Sequence, residues 1–487
     1  SMTPPKGTDS LLECAIILAA GEGTRMKSSL PKVLHEVAGR TLVGHVLHAV
    51  QGLSPQQIRV VVGSGREQVE EHIAAISPKA VTVFQEKRGG TGHATQLALA
   101  GISPKGSVLV LAGDTPLLTT QSLSQLIAFH HNGGFSASVM TAEHPDPTGY
   151  GRIIRADDGS LLRIVEEKDA TDADKIIFEV NSGVYIFDGA LLASAITKLT
   201  ANNSQGELYL TDVLEIMRQA GGEVAAALID DYVETLGVND REQLAESGAY
   251  LRDRINSDLM RAGVTITDPT TTWIDATANI ESDVTIYPGT AILGNTTIKS
   301  GAVIGPRTTL ESCTVLEGAR VVESNCHEAT IGKDAQVGPY SYLRKGTKLG
   351  SGSKAGAFVE IKNSTLGDGS KVPHLSYVGD AKIGEGTNIG AATVFVNYDG
   401  VEKHETIVGD HVRIGSDSML IAPVTIGDGA YTAAGSVISE DVPPGAIGVG
   451  RSRQRNVLGW VLRKRSGTKS AEAAARHAGS ENGHKRG

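Results

Sequence analysis

Glycines and cations follow the first apolar run of the chain, in the order Gly21-Glu22-Gly23-Thr24-Arg25 and then Lys32. Glycines directly after a strand let backbone N–H groups approach an anion closely, and the next helix adds its positive end. Arg25 and Lys32 would set two full charges against a triphosphate. The pattern G-x-G-x-x-R differs from G-x-G-x-x-G, so a Rossmann dinucleotide site is disfavoured. A tight turn with two solvated cations is the alternative at this point.

An aspartate follows the apolar run Val108–Leu111, in the order Gly113-Asp114-Thr115-Pro116. At the carboxyl end of a strand, beside a suspected phosphate site, Asp114 is a natural Mg²⁺ ligand. Mg²⁺ takes one or two protein oxygens, keeps several waters and binds phosphate oxygens. An Asx turn or a helix cap is the alternative, because Asp-Thr-Pro serves both.

Further polar residues stand near strand ends without a motif of their own. Gln85 precedes a second glycine-rich turn, Gly89-Gly90-Thr91-Gly92-His93, which can present backbone groups to the edge of a base. Glu166, Asn181 and Asn239 are single polar residues with apolar neighbours. Each of these three, taken alone, is more often a hydrogen-bonded structural group than a ligand.

The elements that must position these residues alternate between strand and helix. Apolar runs predict strands at Cys14–Leu18, Ile58–Val62, Val81–Phe84, Val108–Leu111, Ala137–Thr141 and Val184–Phe187. Amphipathic stretches predict helices at Thr41–Val50, Glu67–Ala75, Ala94–Leu99 and Thr120–His130. Such alternation predicts a mostly parallel sheet with helices on both faces. Sheets of this class bind ligands beyond the carboxyl ends of their strands.

The second half of the chain repeats an aliphatic residue at every sixth position. The first run is Ile280, Ile286, Ile292, Ile298, Ile304, Leu310, Leu316 and Val322; a second run, displaced in phase, begins at Ile331. A period of six fits neither a helix nor a flat strand, but it fits a parallel β-helix. A solenoid has no cleft of its own, so any catalysis must lie on its outer wall, on inserted loops or between packed copies.

Several residues of the repeat region fall outside the six-residue pattern. His374 lies two residues past Val372 and is expected on the outer wall, where a histidine could take a proton from an amine acceptor. The segment Phe395–His404 falls in a 19-residue interval of the pattern and is expected to protrude as a loop that covers a neighbouring protomer. Lys345 and Lys354 add cations to this net-acidic chain, although a solvated lysine-rich wall is about as probable for any one cation.

Composition limits the classes of function. The formal charge of −10 argues against a general nucleic-acid or anionic-membrane binder. Three cysteines without metal-ligand spacing fit a reducing compartment, and the lack of an 18-residue apolar run favours a cytoplasmic protein. Cys14 is expected to be a small buried hydrophobe, whereas Cys326 lies where the repeat changes phase and has no evident partner. The predicted divisions are 11–239 for the sheet domain, 240–262 for a linking helix, 263–462 for the β-helix and 463–487 for a disordered tail.

Segments in both halves resemble one family of enzymes. LAAGEGTRM, PKVLHEVAG, GGTGHA, GDTPL, TGYGRI, VEEKDAT, VNSGVY, NNSQGELYLTD and GVND occur in this order and are similar to a sugar-1-phosphate nucleotidyltransferase domain. YLRKG, VEIKNS, PHLSYVGD, NIGAATVFVNYDG, IGSDS and AAGSVI are similar to the acetyltransferase half of the bacterial bifunctional N-acetylglucosamine-1-phosphate uridyltransferase / glucosamine-1-phosphate N-acetyltransferase family. The resemblance implies an α/β fold class: a Rossmann-like nucleotidyltransferase sheet, a linking helix and a left-handed parallel β-helix of hexapeptide repeats.

The resemblance also implies residues for nucleotidyl transfer. UTP would be bound by Ala19, Ala20, Gly21, Arg25, Lys32, Gln85, Gly90 and Thr91. N-acetylglucosamine-1-phosphate would be bound by Gly151, Glu166, Asn181 and Thr211. Asp114 and Asn239 would bind Mg²⁺, and Arg25 and Lys32 would stabilise charge on the transferring group and the departing pyrophosphate.

For acetyl transfer, the resemblance implies His374 as general base and Asn397 as the group that polarises the thioester carbonyl. Glucosamine-1-phosphate would be bound by Arg344, Lys362, Tyr377 and Asn388. Acetyl-CoA would be bound by Ala391, Asn397, Tyr398, Ser416, Ala434 and Arg451. The family forms homotrimers with each acetyl site built from neighbouring chains. Trp460 would either pack over the coenzyme of an adjacent chain or dock on its own domain.

The sequence therefore predicts a bifunctional enzyme of UDP-N-acetylglucosamine synthesis, which supplies peptidoglycan. Its co-substrates are acetyl-CoA and UTP, and it needs neither nucleic acid nor a membrane. One alternative is a nucleotidyltransferase with a single activity, whose β-helix only regulates or oligomerises. Another is a non-enzymatic assembly protein that uses the solenoid as a binding wall.

Overall fold

A computed structural model describes residues 12–477 of the chain. These residues fall into two compact units that divide after Gly352. The first unit contains the strand–helix region, a long helix and the beginning of the repeat region. The second unit contains the remaining repeats and the C-terminal helices. Each unit is described by itself.

The first unit begins with a mixed sheet and the helices that cover it. The strands are β1 Leu12–Ala19, β2 Glu36–Val37, β3 Arg40–Thr41, β4 Gln57–Val62, β5 Val81–Phe84, β6 Ser107–Ala112, β7 Ala137–Glu143, β8 Arg152–Arg155, β9 Leu161–Val165, β10 Glu179–Asp188 and β11 Val224–Ile229. The helices are α1 Leu42–Gln51, α2 Arg66–Ile76, α3 Thr91–Leu99, α4 Thr120–Gly133, α5 Asp172–Lys175, α6 Gly189–Ala195, α7 Asp212–Gln219 and α8 Arg241–Arg261.

The main path of the sheet has the order β11-β7-β10-β6-β1-β4-β5. Neighbours along it are parallel except β10, which runs antiparallel to both β6 and β7. The hairpin β8–β9 attaches to β10 through β8. Seven of the nine strands run in one direction, which confirms the predicted mostly parallel sheet, and β9 and β10 run in the opposite direction.

Both faces of this sheet are buried, because successive residues of a strand point to opposite sides. Ala15 and Ile17 of β1 join one core with residues of α1, α2 and α4. Cys14 and Ile16 join a second core with residues of α3, α6 and α7. Burial raises the pKa of the Cys14 thiol to about 12. The expectation that Cys14 is a small buried hydrophobe is therefore confirmed.

The long helix α8 lies within the predicted 240–262 segment. On one side Leu251 belongs to the same buried cluster as Leu117 of the sheet region. On the other side the side-chain amide of Asn256 donates to the carbonyl oxygen of Thr272, at 2.9 Å. This helix thus contacts both the sheet region and the first repeats of the same unit.

The repeats of the first unit form short parallel strands, and each strand pairs with the strand three places further along the chain. They are β12 Thr265–Ile266, β13 Trp273–Ile274, β14 Asn279–Ile280, β15 Thr285–Ile286, β16 Ala291–Leu293, β17 Thr297–Ile298, β18 Val303–Ile304, β19 Thr309–Glu311, β20 Thr314–Val315, β21 Arg320–Val321, β22 Asn325–His327, β23 Thr330–Ile331, β24 Gln336–Val337, β25 Tyr342–Leu343 and β26 Lys348–Leu349. This is the parallel β-helix that the six-residue period predicts, and it is consistent with the left-handed form of hexapeptide repeats that the resemblance implies.

The inward positions of this β-helix differ from the predicted run at two places. Val315 and Val321 point inward and are fully buried, whereas the predicted Leu316 and Val322 are only half-buried. Ile280 pairs with Ile298, 18 residues on, but Ile298 pairs with Val315, only 17 residues on. At the shortened corner the left-handed residue, Ser312, comes two places after the inward Leu310. The corner is one residue shorter, so the count of six fails there.

Cys326 is explained by a second short corner. Its side chain is fully buried, and it pairs with Leu310 on one side and Leu343 on the other. Glu323, which has a φ of 46°, lies two places after the inward Val321. Cys326 thus takes an inward position of the ladder, and its packing partners are aliphatic.

The second unit contains the same kind of strands. They are β27 Lys354–Ala357, β28 Glu360–Lys362, β29 Thr365–Leu366, β30 Lys371–His374, β31 Tyr377–Gly379, β32 Ala381–Ile383, β33 Asn388–Ile389, β34 Val394–Val396, β35 Thr406–Val408, β36 Arg413–Ile414, β37 Met419–Ile421, β38 Val424–Ile426, β39 Tyr431–Thr432, β40 Val437–Ile438 and β41 Ile447–Gly448. Two short helices follow, α9 Trp460–Lys464 and α10 Lys469–Ala475.

The predicted protruding loop is present, but it begins later than expected. Phe395 is fully buried and pairs with Leu420 as an inward ladder residue, so it is not part of the loop. The protrusion is residues 397–404; we call it the acetyl-site hairpin because the resemblance implies that Asn397 and Tyr398 bind acetyl-CoA. In it Tyr398 forms an antiparallel bridge with Lys403, and the N–H of His404 donates to the carbonyl oxygen of Asn397 at 2.8 Å. An aromatic residue fills the inward position that the aliphatic pattern did not recognise.

The prediction of a disordered tail from residue 463 is wrong for α10. Its sequence, KSAEAAA, is rich in strong helix formers. The hydroxyl of Thr468 accepts the N–H of Ala471 at 3.2 Å and caps the helix. Residues 478–487 of the predicted tail lie outside the described residues.

Candidate functional site

The glycine-rich turn after β1 opens onto a cavity of about 310 Å³. Ala19, Ala20 and Gly21 line this cavity. No heavy atom lies within 4 Å of the place where a Cβ on Gly21 would be, so the backbone there is accessible to a ligand. Arg25 lies on the one-turn 3-10 helix Thr24–Met26 and lines a second, larger cavity. The structure therefore brings open backbone and a cation to the carboxyl end of β1.

Lys32 joins the two residues predicted to bind Mg²⁺. Its Nζ lies 2.6 Å from Asp114 Oδ2 and 3.3 Å from Asn239 Oδ1. The side chains of Lys32 and Asp114 are only 12% and 22% exposed. The N–H of Val238 donates to the carbonyl oxygen of Asp114 at 3.0 Å, which holds the two loops together. A carboxylate oxygen and an amide oxygen thus converge on one cation.

The oxygen atoms of Asp114 and Asn239 suit Mg²⁺, which takes few protein ligands, better than they suit a metal ion whose ligands all come from the protein. Within residues 12–477, no group of three or more His, Cys, Asp or Glu side chains is arranged to hold a metal ion. Asp114 and Asn239 supply two oxygens, so the remaining ligands would have to come from bound phosphates and water. That is the usual coordination of Mg²⁺ at phosphate sites.

The residues predicted to bind the base lie on one side of the smaller cavity. Gln85, Gly90 and Thr91 all line it. Gln85 is buried, and its side-chain amide lies 2.9 Å from Nδ1 of His93. Gly90 has a φ of 94°, and a Cβ there would lie 2.6 Å from the carbonyl oxygen of Leu208. Only glycine fits this close approach to the backbone of Leu208.

The residues predicted to bind the sugar line a cavity of about 930 Å³, together with Asp114 and Asn239. They are Gly151, Glu166, Asn181 and Thr211. Burial raises the pKa of Glu166, and the carboxylates of Asp212 and Asp169 raise it further. A carboxyl group that lines this cavity can hydrogen-bond with sugar hydroxyls.

Tyr185 and Arg88 line both cavities, although neither was selected from the sequence. The side-chain N–H of Asn181 donates to the Tyr185 hydroxyl at 2.6 Å, and Asn181 Oδ1 accepts the N–H of Gly183 at 2.9 Å. Asn181 is thereby fixed in one orientation. Arg88 lies 3.7 Å from Glu22 in an exposed ion pair. Tyr185 reads in sequence as an ordinary core residue, so no local signal would have identified it.

In the second unit, four residues predicted for acetyl transfer occupy equivalent positions of successive coils. The first residues of β30, β33, β36 and β39 are in register with one another. Three residues after each of these comes, in order, His374, Ala391, Ser416 and Ala434. Neighbouring strands are about 4.8 Å apart, so this acetyl column runs about 14 Å along the solenoid. His374, Ser416 and Ala434 are exposed, as expected for the outer wall.

Arg451 continues the acetyl column. Its Cδ is 3.8 Å from the place where a Cβ on Gly435 would lie, and Gly435 directly follows Ala434. Asn388 is half-buried on β33, three residues before Ala391. The structure thus gathers these predicted residues on one edge of the second unit.

A polar cluster beside β31 joins three other predicted residues through one that the sequence did not select, Asp380. Its Oδ2 lies 3.2 Å from Lys362 Nζ and accepts a hydrogen bond from Asn397 Nδ2 at 2.8 Å. Asn397 Nδ2 also donates to the Tyr377 hydroxyl at 3.2 Å. Burial raises the pKa of Asp380, but hydrogen bonds from Asn363, Asn397 and Lys362 outweigh that effect and hold the pKa below its usual value.

The remaining predicted residues have individual positions. Arg344 belongs to the first unit and is half-buried beside the inward Leu343. Tyr398 is exposed on the acetyl-site hairpin. Trp460 begins α9, and the Arg465 guanidinium lies over its ring, 4.8 Å from the centroid. Among residues 12–477, no helix is long and apolar enough to cross a membrane.

Comparisons with known proteins agree with this division of the chain. The MobA-like NTP transferase domain family matches residues 15–177, and the bacterial transferase hexapeptide family, six repeats, matches residues 405–440. The bifunctional protein GlmU of Streptomyces coelicolor is 54% identical across 96% of this chain and 98% of its own length. Bifunctional proteins GlmU of Corynebacterium jeikeium and Corynebacterium glutamicum (strain R) are 54% and 52% identical, each across 94% of this chain and at least 95% of their own lengths. The chain therefore belongs to the GlmU family of bifunctional proteins.

Proposed function

We propose that this chain is a bifunctional enzyme of UDP-N-acetylglucosamine synthesis. Its second half acetylates glucosamine-1-phosphate from acetyl-CoA, and its first half transfers UMP from UTP to the product, with release of pyrophosphate. The observation that carries the proposal is the Lys32–Asp114–Asn239 cluster. Lys32 and Asp114 line the smaller cavity together with residues predicted to bind UTP, and Asp114 and Asn239 line the larger cavity together with residues predicted to bind the sugar.

In uridylyl transfer, a phosphate oxygen of N-acetylglucosamine-1-phosphate attacks the α-phosphorus of UTP and pyrophosphate leaves. No side-chain base is needed, because a phosphate monoester is already a nucleophile at neutral pH. Gln85, Gly90 and Thr91 hold the uracil base, and Gly151, Glu166 and Asn181 hold the sugar. Arg25 and Lys32 stabilise the charge that grows on the transferring group and on the departing pyrophosphate.

Asp114 and Asn239 are the residues that would hold Mg²⁺. When bound, Mg²⁺ supplies neutralising charge to the phosphates during transfer. The ammonium of Lys32 already lies against both oxygens. Lys32 is therefore expected to move toward the phosphates as substrates and metal bind, which releases the two oxygens for the cation.

In acetyl transfer, the glucosamine amine attacks the thioester carbonyl and His374 takes a proton from the amine. The carbon–sulfur bond then breaks, and coenzyme A leaves and takes up a proton to become the free thiol. Lys362, Tyr377 and Asn388 hold the sugar phosphate. The acetyl column below His374 consists of small residues and ends near Arg451, which suits an extended coenzyme with phosphates at its far end.

Asn397 needs one adjustment to fulfil its proposed role. Its amide nitrogen donates to Asp380 and Tyr377, so both N–H bonds are engaged and its carbonyl oxygen is the available group. To polarise the thioester carbonyl, an N–H bond must be released from one of these partners. Binding of the sugar phosphate at Lys362 and Tyr377 is the event that would release it.

The chain acts as a homotrimer in this proposal. The acetyl column and the acetyl-site hairpin lie on the outside of the second unit. Val401, at the hairpin tip, is an apolar side chain that is 85% exposed in the single chain. A neighbouring copy would cover this tip and supply the missing wall of the acetyl site.

One experiment tests both activities. Purified chain is incubated with glucosamine-1-phosphate, acetyl-CoA, UTP and Mg²⁺, and free thiol and pyrophosphate are followed together. His374→Ala should lower thiol release at least about a hundredfold, since that is the usual contribution of a general base. Pyrophosphate release from added N-acetylglucosamine-1-phosphate should stay within about twofold of wild type.

Lys32→Gln is the reciprocal control, because it should suppress pyrophosphate release and spare thiol release. Thiol release that persists in His374→Ala would refute His374 as the base. A wild-type chain that releases pyrophosphate but no thiol would favour the alternative in which the β-helix is only a scaffold.

A further inference from the structure

Arg152, the first residue of β8, is almost completely buried yet has no part in the functions described above. Its Nη1 donates to the carbonyl oxygen of Tyr150 and to Glu167 Oε2, the latter at 2.5 Å. Its Nη2 lies 3.5 Å from the carbonyl oxygen of Lys175. Its Nε is buried and makes no hydrogen bond within the described residues. One guanidinium thus joins three separate segments of the chain.

Two of these segments carry residues of the sugar cavity. Tyr150 directly precedes Gly151, and Glu167 directly follows Glu166. A Cβ on Gly151 would lie 3.5 Å from both carboxylate oxygens of Glu166, so the two residues face each other. Arg152 therefore links the backbone next to Gly151, at Tyr150, to the side chain next to Glu166, that of Glu167.

We propose that Arg152 is a positioning residue for the sugar substrate, which rests on the proposed function. Through Tyr150 and Glu167, its guanidinium sets the separation of Gly151 from Glu166, and that separation decides how tightly the sugar phosphate binds. Arg152 itself does not contact the substrate. A charge buried in this way is held by its partners, so changing either partner moves the loops that it joins.

Arg155, on the same strand, provides a matched comparison. Its Nε lies 2.6 Å from Glu179 Oε1, and its guanidinium also donates to the carbonyl oxygens of Gly159 and Ala226. Arg155 therefore has the same kind of contacts as Arg152. It lines a different cavity, which contains none of the predicted sugar-binding residues.

The test compares Arg152→Lys with Arg155→Lys in the full-length chain. An ammonium keeps the charge but cannot reach all three partners as a planar guanidinium does. Arg152→Lys should raise the KM for N-acetylglucosamine-1-phosphate about tenfold or more, the effect of losing a charged hydrogen bond. The KM for UTP and the rate of acetyl transfer should change less than about twofold in both variants.

Glu167→Gln covers the case in which Arg152→Lys does not fold. It keeps the shape of the side chain, and a smaller rise of the same KM is expected. The direct affinity for N-acetylglucosamine-1-phosphate, measured by calorimetry, should fall in parallel. The proposal would be overturned if the KM for N-acetylglucosamine-1-phosphate were unchanged in Arg152→Lys and in Glu167→Gln. It would also be overturned if the KM values for the sugar phosphate and for UTP rose equally and Arg155→Lys gave the same rises.

This outcome is distinct from failure of the proposed function. If the wild-type chain makes no pyrophosphate from UTP and N-acetylglucosamine-1-phosphate, the proposed function fails. If the wild type is active and the sugar KM of Arg152→Lys is normal, only the positioning role fails.

Discussion

Two buried histidines of the first unit are held without charge. His130 on α4 is 3% exposed, and its Nδ1 lies 2.9 Å from the Ser138 hydroxyl. His45 on α1 lies 2.6 Å from the carbonyl oxygen of Val37 through its Nε2. Burial lowers the pKa of each to about 4. Neither ring lies among the residues proposed for catalysis, so their protonation reports on stability.

The free energy of unfolding of the first unit should therefore fall in mild acid. Between pH 6.5 and 4 the unfolded chain binds a proton at each of these histidines and the folded chain does not, so stability decreases as pH falls through this window. The loss is about 3 kcal/mol per histidine, and it levels off below pH 4. Urea unfolding followed by circular dichroism between pH 7 and 4.5 measures it. His130→Gln should reduce the slope, and an unaltered slope would show that His130 does not titrate in this way.

At the scale of elements, the acetyl-site hairpin is held by its own side chains. Asp399 Oδ1 accepts the N–H groups of Val401 and Glu402 at 2.8 and 2.7 Å, and its Oδ2 lies 2.7 Å from His404 Nε2. These hydrogen bonds lower the pKa of Asp399 to about 2. The hairpin is thereby preorganised in the single chain, and its apolar tip is available for a neighbouring copy.

Val401→Asp should impair acetyl transfer alone. The substitution has little cost in an isolated chain, but in an assembly it places a charge in an apolar contact. Thiol release should fall about tenfold or more, and pyrophosphate release should change less than about twofold. The matched control is Leu191→Asp, an exposed apolar residue of the first unit. Equal effects of both substitutions on acetyl transfer would contradict a role of the hairpin tip in assembly.

The periodicity of apolar residues predicted most strands and helices, and positions at strand ends predicted several site residues. Residues whose roles depend on contacts distant in sequence could not be predicted. Asp114 and Gly21 could be selected because each follows an apolar strand. The predicted inward position was wrong by one residue at Leu316, because Val315 beside it is also apolar. A sequence pattern cannot tell which of the two side chains points inward. Arg152 and Asp380 escaped selection because Glu167, a partner of Arg152, and Asn397, a partner of Asp380, lie 15 and 17 residues away in sequence. Their roles depend on folding that brings those partners together.

At the scale of the whole molecule, two chemistries with different requirements share one polypeptide. The nucleotide and sugar cavities of the first unit are lined by residues of one chain. The acetyl column lies on an outer surface of the second unit, and in our proposal another copy supplies its second wall. Uridylyl transfer is therefore expected to be independent of assembly, and acetyl transfer to require it.

Sedimentation should give an assembly mass of about 150 kDa, three times the 50.8 kDa of the chain. Fractions shifted toward monomer by Val401→Asp should lose acetyl transfer in proportion to the monomer content and keep uridylyl transfer. The measurement is sedimentation equilibrium with both assays on the same samples. A strictly monomeric wild type that releases coenzyme A at full rate would refute the shared site.

The short corners at Ser312 and Glu323 show how the β-helix tolerates insertions and deletions. Each coil is aligned by its stacking on the coil below, so a lost residue is absorbed at one bend and the register downstream recovers. The insertion between Phe395 and Val408 is absorbed in the same way, and Val408 still pairs with Ile383. Insertions and deletions at bends thus leave the stacking of the coils intact, and new loops can be added to the β-helix one bend at a time.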